Sequence, residues 1–358
     1  MNPDCLKLTT YLGERDRTDG ALLADALMDV YERRGIQTSL LLRGTEGFGL
    51  SHRLQTQRLL TLSEDLPLIS VAVDERERIQ ATVDEVVSIS GSGLVTLERA
   101  RMLCNATAAT KLAEDSDDAI KLTIYCGRRD RIRGRAAHVA VVEMLHREGM
   151  AGATVLLGVD GTLGGSRQRA RFFAGNAAVP LMIISVGDGS QTARVLPWLL
   201  AALAEPRITL ERVRLCKRDG RRLATPPSLP NTDRRGRGVW QKMMIYASEQ
   251  ATHEGNPLYV SLTRCLREQG AAGATSLRGM WGYHGDHSPH GDAFWSARRR
   301  VPVVTVVVDT PERVRRWYAV VDELTQEVGL VTSETVPAYR AAAAGATEGD
   351  LRLAQEPW

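Results

Sequence analysis

The stretch "YHGDHSPHGD" (Tyr283–Asp292) carries His284, His287 and His290 at three-residue intervals, with Asp286 and Asp292 beside them. Imidazole nitrogens and carboxylate oxygens at this density suit zinc or another divalent ion. Pro289 and the neighbouring glycines would let the segment wrap an ion. Against that, ligands of pre-formed sites usually stand on rigid elements with supporting hydrogen bonds. The competing reading is a loop that offers polar groups to a ligand, a partner or solvent.

A second candidate is the turn "RGTEGFG", with Arg43, Gly44, Glu46, Gly47, Phe48 and Gly49. It sets a basic side chain beside glycine backbone that a ligand can approach closely, which suits a phosphate or other anion. It is not a P-loop, because no Gly-Lys-Ser/Thr follows. Glycines needed only for a tight exit from a strand explain it equally well. Arg278, Gly279, Gly282 and Tyr283 repeat the feature, whereas Leu157-Gly158 has lost the arginine. "SISGSG" adds Gly91 and Gly93 ahead of a strand. The charged stretches "GERDR" (Gly13–Arg17) and "GRRDR" (Gly127–Arg131) read as surface ion pairing, or as the lining of a cleft between domains.

Other chemistries are poorly supported. The five cysteines are scattered and form no CxxC pair, so they read as buried thiols rather than zinc ligands. No nucleophile–base motif argues for an enzyme. The net charge of +3 is too small to argue for nucleic-acid binding. There is no apolar run long enough for a transmembrane helix. The start "MNPDCLKLTT" lacks a signal peptide's basic and apolar regions, so a cytoplasmic protein is expected.

The elements that position these residues occur three times. "KLTTYLGERDRTDG" (Lys7–Gly20), "KLTIYCGRRDRIRG" (Lys121–Gly134) and "KMMIYASEQATHEG" (Lys242–Gly255) open successive copies, with Tyr11, Tyr125 and Tyr246 in register. Each copy has a strand after Pro67, Pro180 or Pro302, and each closes with a related stretch, "GLVTLERAR", "PRITLERVR" or "GLVTSETVP". Such a period is too long for a solenoid, so each copy is a small domain. The domains span 1–104, 120–216 and 239–340, with an acidic linker at 105–119, a basic Pro/Gly-rich linker at 217–238 and a tail at 341–358. The basic linker reads as solvated, or as a contact for an acidic partner.

Within the first copy "KLTTYL" alternates like a half-buried strand. Leu23, Ala26, Leu27, Val30 and Tyr31 mark one helix face, and Gly35 a C-cap. In the third copy Val314, Trp317, Val321 and Leu324 mark the second helix. The order is βαββαβ, the ferredoxin-like plan of an α+β domain. Its bare sheet face must be covered, and three copies suggest sheets packed about a pseudo-threefold axis. The connection between the second and third strands, Arg43–Pro67, far exceeds an ordinary hairpin loop.

"LTTYLGERDR…G", "LLRGTEGFG" and "LLTLSEDLP" resemble the bacterial family called domain of unknown function 190, which in turn resembles the P-II signalling proteins. The resemblance covers all but the linkers and tail, with degraded motifs in the second copy. It implies a trimer fused into one polypeptide, monomeric in chain count. A small ligand, an adenine nucleotide or other anion, would bind between domains at the base of the long loop. That loop would then dock on a membrane transporter or an enzyme. In this alignment His287 falls on His52 and His290 on Gln55, so the histidine-rich stretch is the third copy's long loop. The alternatives are a docking scaffold without a ligand and a metal-binding protein.

Overall fold

The computed structural model describes residues 4–49, 55–56, 65–91, 93–103, 119–169, 179–285, 288–291, 301–326, 328–341 and 346–352. The first repeat runs β1 (Asp4–Gly13), α1 (Leu23–Arg33), β2 (Thr38–Arg43), β3 (Pro67–Glu75), α2 (Arg76–Ser90) and β4 (Gly93–Met102). The second runs β5 (Ala119–Gly127), α3 (Ala137–Arg147), β6 (Gly152–Leu163), β7 (Pro180–Gly187), α4 (Gly189–Ala202) and β8 (Arg207–Arg218). The third runs β9 (Trp240–Ser248), α5 (Leu258–Glu268), β10 (Ala274–Arg278), β11 (Pro302–Asp309), α6 (Pro311–Leu324) and β12 (Leu330–Val336).

Helix α1 buries Leu23, Leu27, Val30 and Tyr31 as its spacing predicts, with Ala24 and Met28 completing the face in place of Ala26. Gly35 takes φ 66° just past the helix, the left-handed turn that favours glycine. Helix α6 likewise buries Val314, Trp317 and Val321.

Within each repeat the fourth strand pairs with the first, the first with the third, and the third with the second, all antiparallel. In the first repeat Leu6 faces Arg99 and Asp74, and Thr38 faces Val73. The equivalent registers in the others are Ile120 with Arg212 and Gly187, and Gln241 with Thr335 and Asp309.

The strand β1 is buried on both faces, which corrects the half-buried reading. Leu6, Leu8 and Leu12 pack under the helices. Cys5 and Tyr11 face inward, into an apolar cluster shared with Met182 and Tyr125 of the second repeat and Met244 and Val304 of the third. The polar residues that alternate with the leucines, Lys7 and Thr9, are therefore also out of water, at 6 % and 4 % exposure.

The sheets also join edge to edge, beyond mere packing. Residues Gly158–Leu163 of β6 pair with Leu42–Thr38 of β2, and Thr209–Leu210 of β8 pair with Met102–Arg101 of β4. These two seams close the sheets of the first and second repeats into an eight-stranded barrel. The third repeat enters through the same kinds of contact. Trp281–His284 pairs with Val155–Gly152, and Glu46–Phe48 pairs with Ser276–Ala274. After β4, β8 and β12 the pattern repeats: Arg214–Lys217 pairs with β12, and β13 (Ala338–Ala341) pairs with Thr96–Gly93. Each repeat thus lends two strand extensions, one after its second strand and one at its fourth, and receives two, around a closed cycle of three. Sheet edges that would otherwise be exposed are covered in this way.

The segments read as linker and tail are partly built in. Lys217 and Arg218 end β8, Thr232 bridges Gly238, and β14 (Thr347–Asp350) pairs with β13. The acidic linker at 105–118 lies outside the described residues. Among the described residues no helix is long and apolar enough to cross a membrane.

Candidate functional site

Lys7, Lys121 and Lys242 stand at matching positions on β1, β5 and β9, and Glu98, Glu211 and Glu334 at matching positions on β4, β8 and β12. All six point to the middle of the molecule. Lys7 Nζ lies 2.7 Å from Glu98 and 2.5 Å from Glu211. Lys121 Nζ lies 2.6 Å from Glu211 and 2.5 Å from Glu334. Lys242 Nζ lies 2.7 Å from Glu334 and 2.5 Å from Glu98. The charges alternate around a closed ring in which every lysine bridges its own repeat to the next. Thr9 and Thr96 donate to Glu98 at 3.1 and 3.2 Å, and Thr123 and Thr209 to Glu211 at 3.4 and 3.2 Å.

Burial opposes every charge in this ring, and the alternation offsets it. Desolvation pulls Lys7 and Lys121 down, but the flanking carboxylates overcome it and hold both above the usual lysine range. Desolvation pushes Glu98 and Glu211 up, and the lysines overcome it to hold both carboxyls low. At Lys242 desolvation prevails and lowers the ammonium. The three glutamate oxygens lie within 4.8 Å of one another, close enough to hold a metal ion. Their lysine partners supply the positive charge instead, so the ring is neutral without an ion.

The ring does not appear among the residues expected to do chemistry. Its signal was present: a lysine in the first strand and a glutamate in the fourth recur at the same place in all three copies.

The predicted site residues separate into several places. Phe48, Gly49 and Gly93 line a cavity of about 390 Å³ between the first and third repeats, together with Tyr11, Asp16, Thr275 and Arg340. Arg340 stands on β13, 8 % exposed, with its guanidinium 4.9 Å from the Trp240 ring and paired with Glu348. Its Nη1 is buried without a hydrogen-bond partner, the nearest carboxylate being Asp309 at 3.9 Å. Asp16 accepts from the Gly13 amide at 2.7 Å, and burial pushes its carboxyl up. Sequence reasoning missed Arg340 because it follows the last repeat strand, where no shared motif reaches.

The corresponding cleft between the second and third repeats has shrunk to about 10 Å³. Tyr283 stands there in place of Phe48 and His284 in place of Gly49. The Tyr283 hydroxyl donates to the Met150 carbonyl at 3.1 Å, and its ring meets His146 edge-on at 4.8 Å. At the seam of the first and second repeats, Arg167 pairs with Asp160 at 2.7 Å and with Asp29, while Thr162 donates to the Ile36 carbonyl at 2.9 Å. The three clefts are therefore not equivalent.

Arg43 and Arg278 are engaged outside the cavity lining, Arg43 with Glu14 at 3.0 Å and Arg278 with Glu249 at 2.8 Å. Each ties the long hairpin to the loop after its repeat's first strand. Gly44, Gly47, Gly279 and Gly282 are required by packing. A Cβ at Gly44 or Gly279 would lie 2.6 or 3.0 Å from Pro67 or Pro302 Cγ. At Gly47 or Gly282 it would lie 2.6 or 2.1 Å from the carbonyl oxygen of Ala274 or Ala153, where one repeat's extension crosses the next. Glu46 is buried on that extension, facing Ser276. Gly91 caps α2 with φ 54°.

His284 pairs through its backbone with Gly152, and His290 with Gly282. His287, Asp286 and Asp292 lie outside the described residues. Among the described residues, the group whose ligand atoms converge is the three glutamates, not the histidines. Of the cysteines, Cys5, Cys126 and Cys216 are buried free thiols, and burial pushes Cys126 and Cys216 up to about 12.

Comparison with known proteins gives the same threefold division. The DUF190 family, described as "Uncharacterized ACR", matches residues 5–102, 119–215 and 240–338. A UPF0166 protein of Aquifex aeolicus (strain VF5) is 31 % identical over 102 residues, 28 % of this chain and 94 % of that protein. Among solved structures, an aspartate kinase from Synechocystis aligns at 11 % identity with a TM-score of 0.23, over 96 % of this chain and 45 % of that one. That likeness is too weak to carry an argument. The chain belongs to the DUF190 family, as three tandem copies.

Proposed function

We propose that this DUF190 protein is a P-II-like regulatory module, with three ferredoxin-like repeats taking the places of three subunits and one inter-repeat cleft binding a small anion. The βαββαβ order and the strand order within each repeat support the ferredoxin-like reading, and the cyclic exchange of strand extensions supports the pseudo-trimer. The observation that carries the ligand reading is the cleft between the first and third repeats. It holds about 390 Å³, and a buried arginine on its lining has a guanidinium nitrogen without a hydrogen-bond partner. Ligand sites are commonly of this size, mostly apolar with a few placed polar groups. An unmet buried donor is costly unless an acceptor arrives.

On this reading Tyr11 and Phe48 supply apolar contact, the backbone at Gly49 and Gly93 admits close approach, and Arg340 receives the negative charge. Adenine nucleotides are the first class to test. The protein is a cytoplasmic binding protein rather than an enzyme, and its long β2–β3 loops are the surfaces that would engage a transporter or an enzyme.

A thermal-shift panel of ATP, ADP, AMP, cyclic di-AMP, phosphate and sulfate tests this, because a ligand bound only by the folded state raises its apparent stability. The reading expects a stabilising shift that disappears in Arg340→Ala and persists in Arg43→Ala. No shift across the panel would overturn it in favour of ligand-free docking, and a shift that survives Arg340→Ala would place the ligand outside this cleft.

A further inference from the structure

After its last repeat strand the chain lays β13 and β14 against the first repeat, and this hairpin supplies both Arg340 and the carboxylate that holds it. Arg340 stands opposite Leu94 of β4 on one side and opposite Glu348 of β14 on the other. Its guanidinium lies over the Trp240 ring, and its side chain is only 10 % exposed. Glu348, the cross-strand partner, is 59 % exposed. Strand β14 itself is tightly seated. Gly349 takes φ 86°, and a Cβ there would lie 2.0 Å from the Ala338 carbonyl oxygen and 2.7 Å from Trp240 Nε1. The backbone that carries Glu348 is therefore fixed, while its carboxylate can turn away into water.

The other carboxylate near Arg340 is already committed. Asp309 accepts from the Thr310 amide at 2.9 Å, from Trp317 Nε1 at 3.3 Å and from Arg313 at 3.4 Å, and it lies 3.9 Å from Arg340. The second repeat arranges its own extension differently. There the buried cation is Lys217, which donates to the carboxylate and the carbonyl of Asp322, each at 2.9 Å. The return strand sets Arg222 opposite Lys217, and Arg222 pairs with the same Asp322. Asp322 is only 14 % exposed, so that cation is locked in place. In the third repeat the return strand brings an acid where the second has a base, and the acid faces solvent.

An ion pair with one solvated partner adds little stability, whereas phosphate oxygens match a guanidinium fork in pairs and carry more charge. Building on the reading of this cleft as an anion site, we propose that Glu348 is an internal competitor for the ligand. It holds Arg340 and gives the guanidinium up to an anion entering from the cavity. Displacing it costs each ligand part of its affinity. A carboxylate would exchange like for like, so the site selects phosphoryl groups, whose extra charge and oxygens engage both Nη1 and Nη2. Glu348 thus sets the threshold for binding, and the ligand class narrows to phosphorylated small molecules.

The test titrates ATP, ADP, AMP and phosphate against the thermal stability of the full chain and of Glu348→Gln, with Arg340→Ala/Glu348→Gln as control. Glutamine keeps the size of this exposed side chain and removes its charge. The expected result is half-saturation at about fivefold lower concentration in Glu348→Gln, with no response from the double variant. Sodium acetate, compared with sodium chloride at equal ionic strength, should cancel the gain in Glu348→Gln and leave the unaltered chain as it was, because the added carboxylate takes the place of the missing one. Unchanged or weaker binding in Glu348→Gln, with the unaltered chain still responding, would overturn this inference and leave the anion cleft standing. A gain that acetate fails to cancel would overturn it as well, since the substitution would then act through the packing of β14. No response from either chain would overturn both this inference and the reading it builds on.

Discussion

Lys7 lies 2.5 Å from Glu211, a residue of the following repeat, and only slightly farther, 2.7 Å, from Glu98 of its own. The contact between repeats is as close as the contact within one. Because the same holds at Lys121 and Lys242, the ring cannot form in any single repeat. It requires all three in their cyclic order, and so acts as a check on assembly as much as a source of stability.

Removing one charge should therefore be severe. Lys121→Met leaves two carboxylates facing each other out of water, and is expected to cost about 3–5 kcal/mol in urea unfolding. Replacing all six ring residues by apolar side chains of similar volume should be far milder, with the fold retained. A mild effect of Lys121→Met alone would mean that the ring is hydrated or loosely formed.

The ring also sets the response to pH. Glu98 and Glu211 are held below their usual range, so their contribution is complete above the unfolded value of about 4.3 and is lost as pH falls below it. Lys7 and Lys121 are held above theirs, so their contribution is complete below about 10.4 and is lost as pH rises through the folded value. Lys242, lowered by desolvation, runs the other way and softens the alkaline limb. Unfolding midpoints in urea should thus be flat near neutrality and fall steeply in acid. Gln at both Glu98 and Glu211 should remove most of the acid dependence.

The glycines of the hairpin extensions separate packing from ligand contact. A Cβ at Gly47 meets the Ala274 carbonyl at 2.6 Å, so Gly47→Ala should destabilise by about 1–3 kcal/mol. A Cβ at Gly49 meets nothing within 4 Å, so Gly49→Ala should be nearly neutral. Chemical denaturation of the two variants checks this, and equal losses would place the extension differently from the structure described above.

Much of this architecture is legible in the sequence alone, and the reason is repetition. Three aligned copies reveal the element order, because apolar spacing that is ambiguous once becomes plain when it recurs, as at Leu23–Tyr31 and Val314–Leu324. The long loop and its glycines were found for the same reason, and Phe48, Gly49 and Gly93 do line a cavity. What sequence could not resolve was burial of the second sheet face. Lys7 and Glu98 look like surface residues of a half-exposed strand until the other two sheets are placed over them. Nor could it separate Gly47, which the neighbouring strand demands, from Gly49, which faces open space. Arg340 lies beyond the repeat motifs, and its position depends on the chain returning to pair with the first repeat.

Steric closure of the cleft offers a complementary experiment. A Cβ at Gly49 meets nothing within 4 Å, and Gly49 lines the open cleft, so Gly49→Phe would put a ring into that cavity. It should fold with an unfolding midpoint close to that of the unaltered chain and abolish the ligand-induced thermal shift. Retention of the full shift would place the ligand elsewhere.

The central claim is that one cleft of the three remains able to bind. Its most direct test is a calorimetric titration with whichever adenine nucleotide or anion of the panel gives the largest thermal shift, on the full chain and on Arg340→Ala. The account predicts one molecule bound per chain, and none when Arg340 is removed. Three molecules per chain, or one that binds equally well without Arg340, would contradict it.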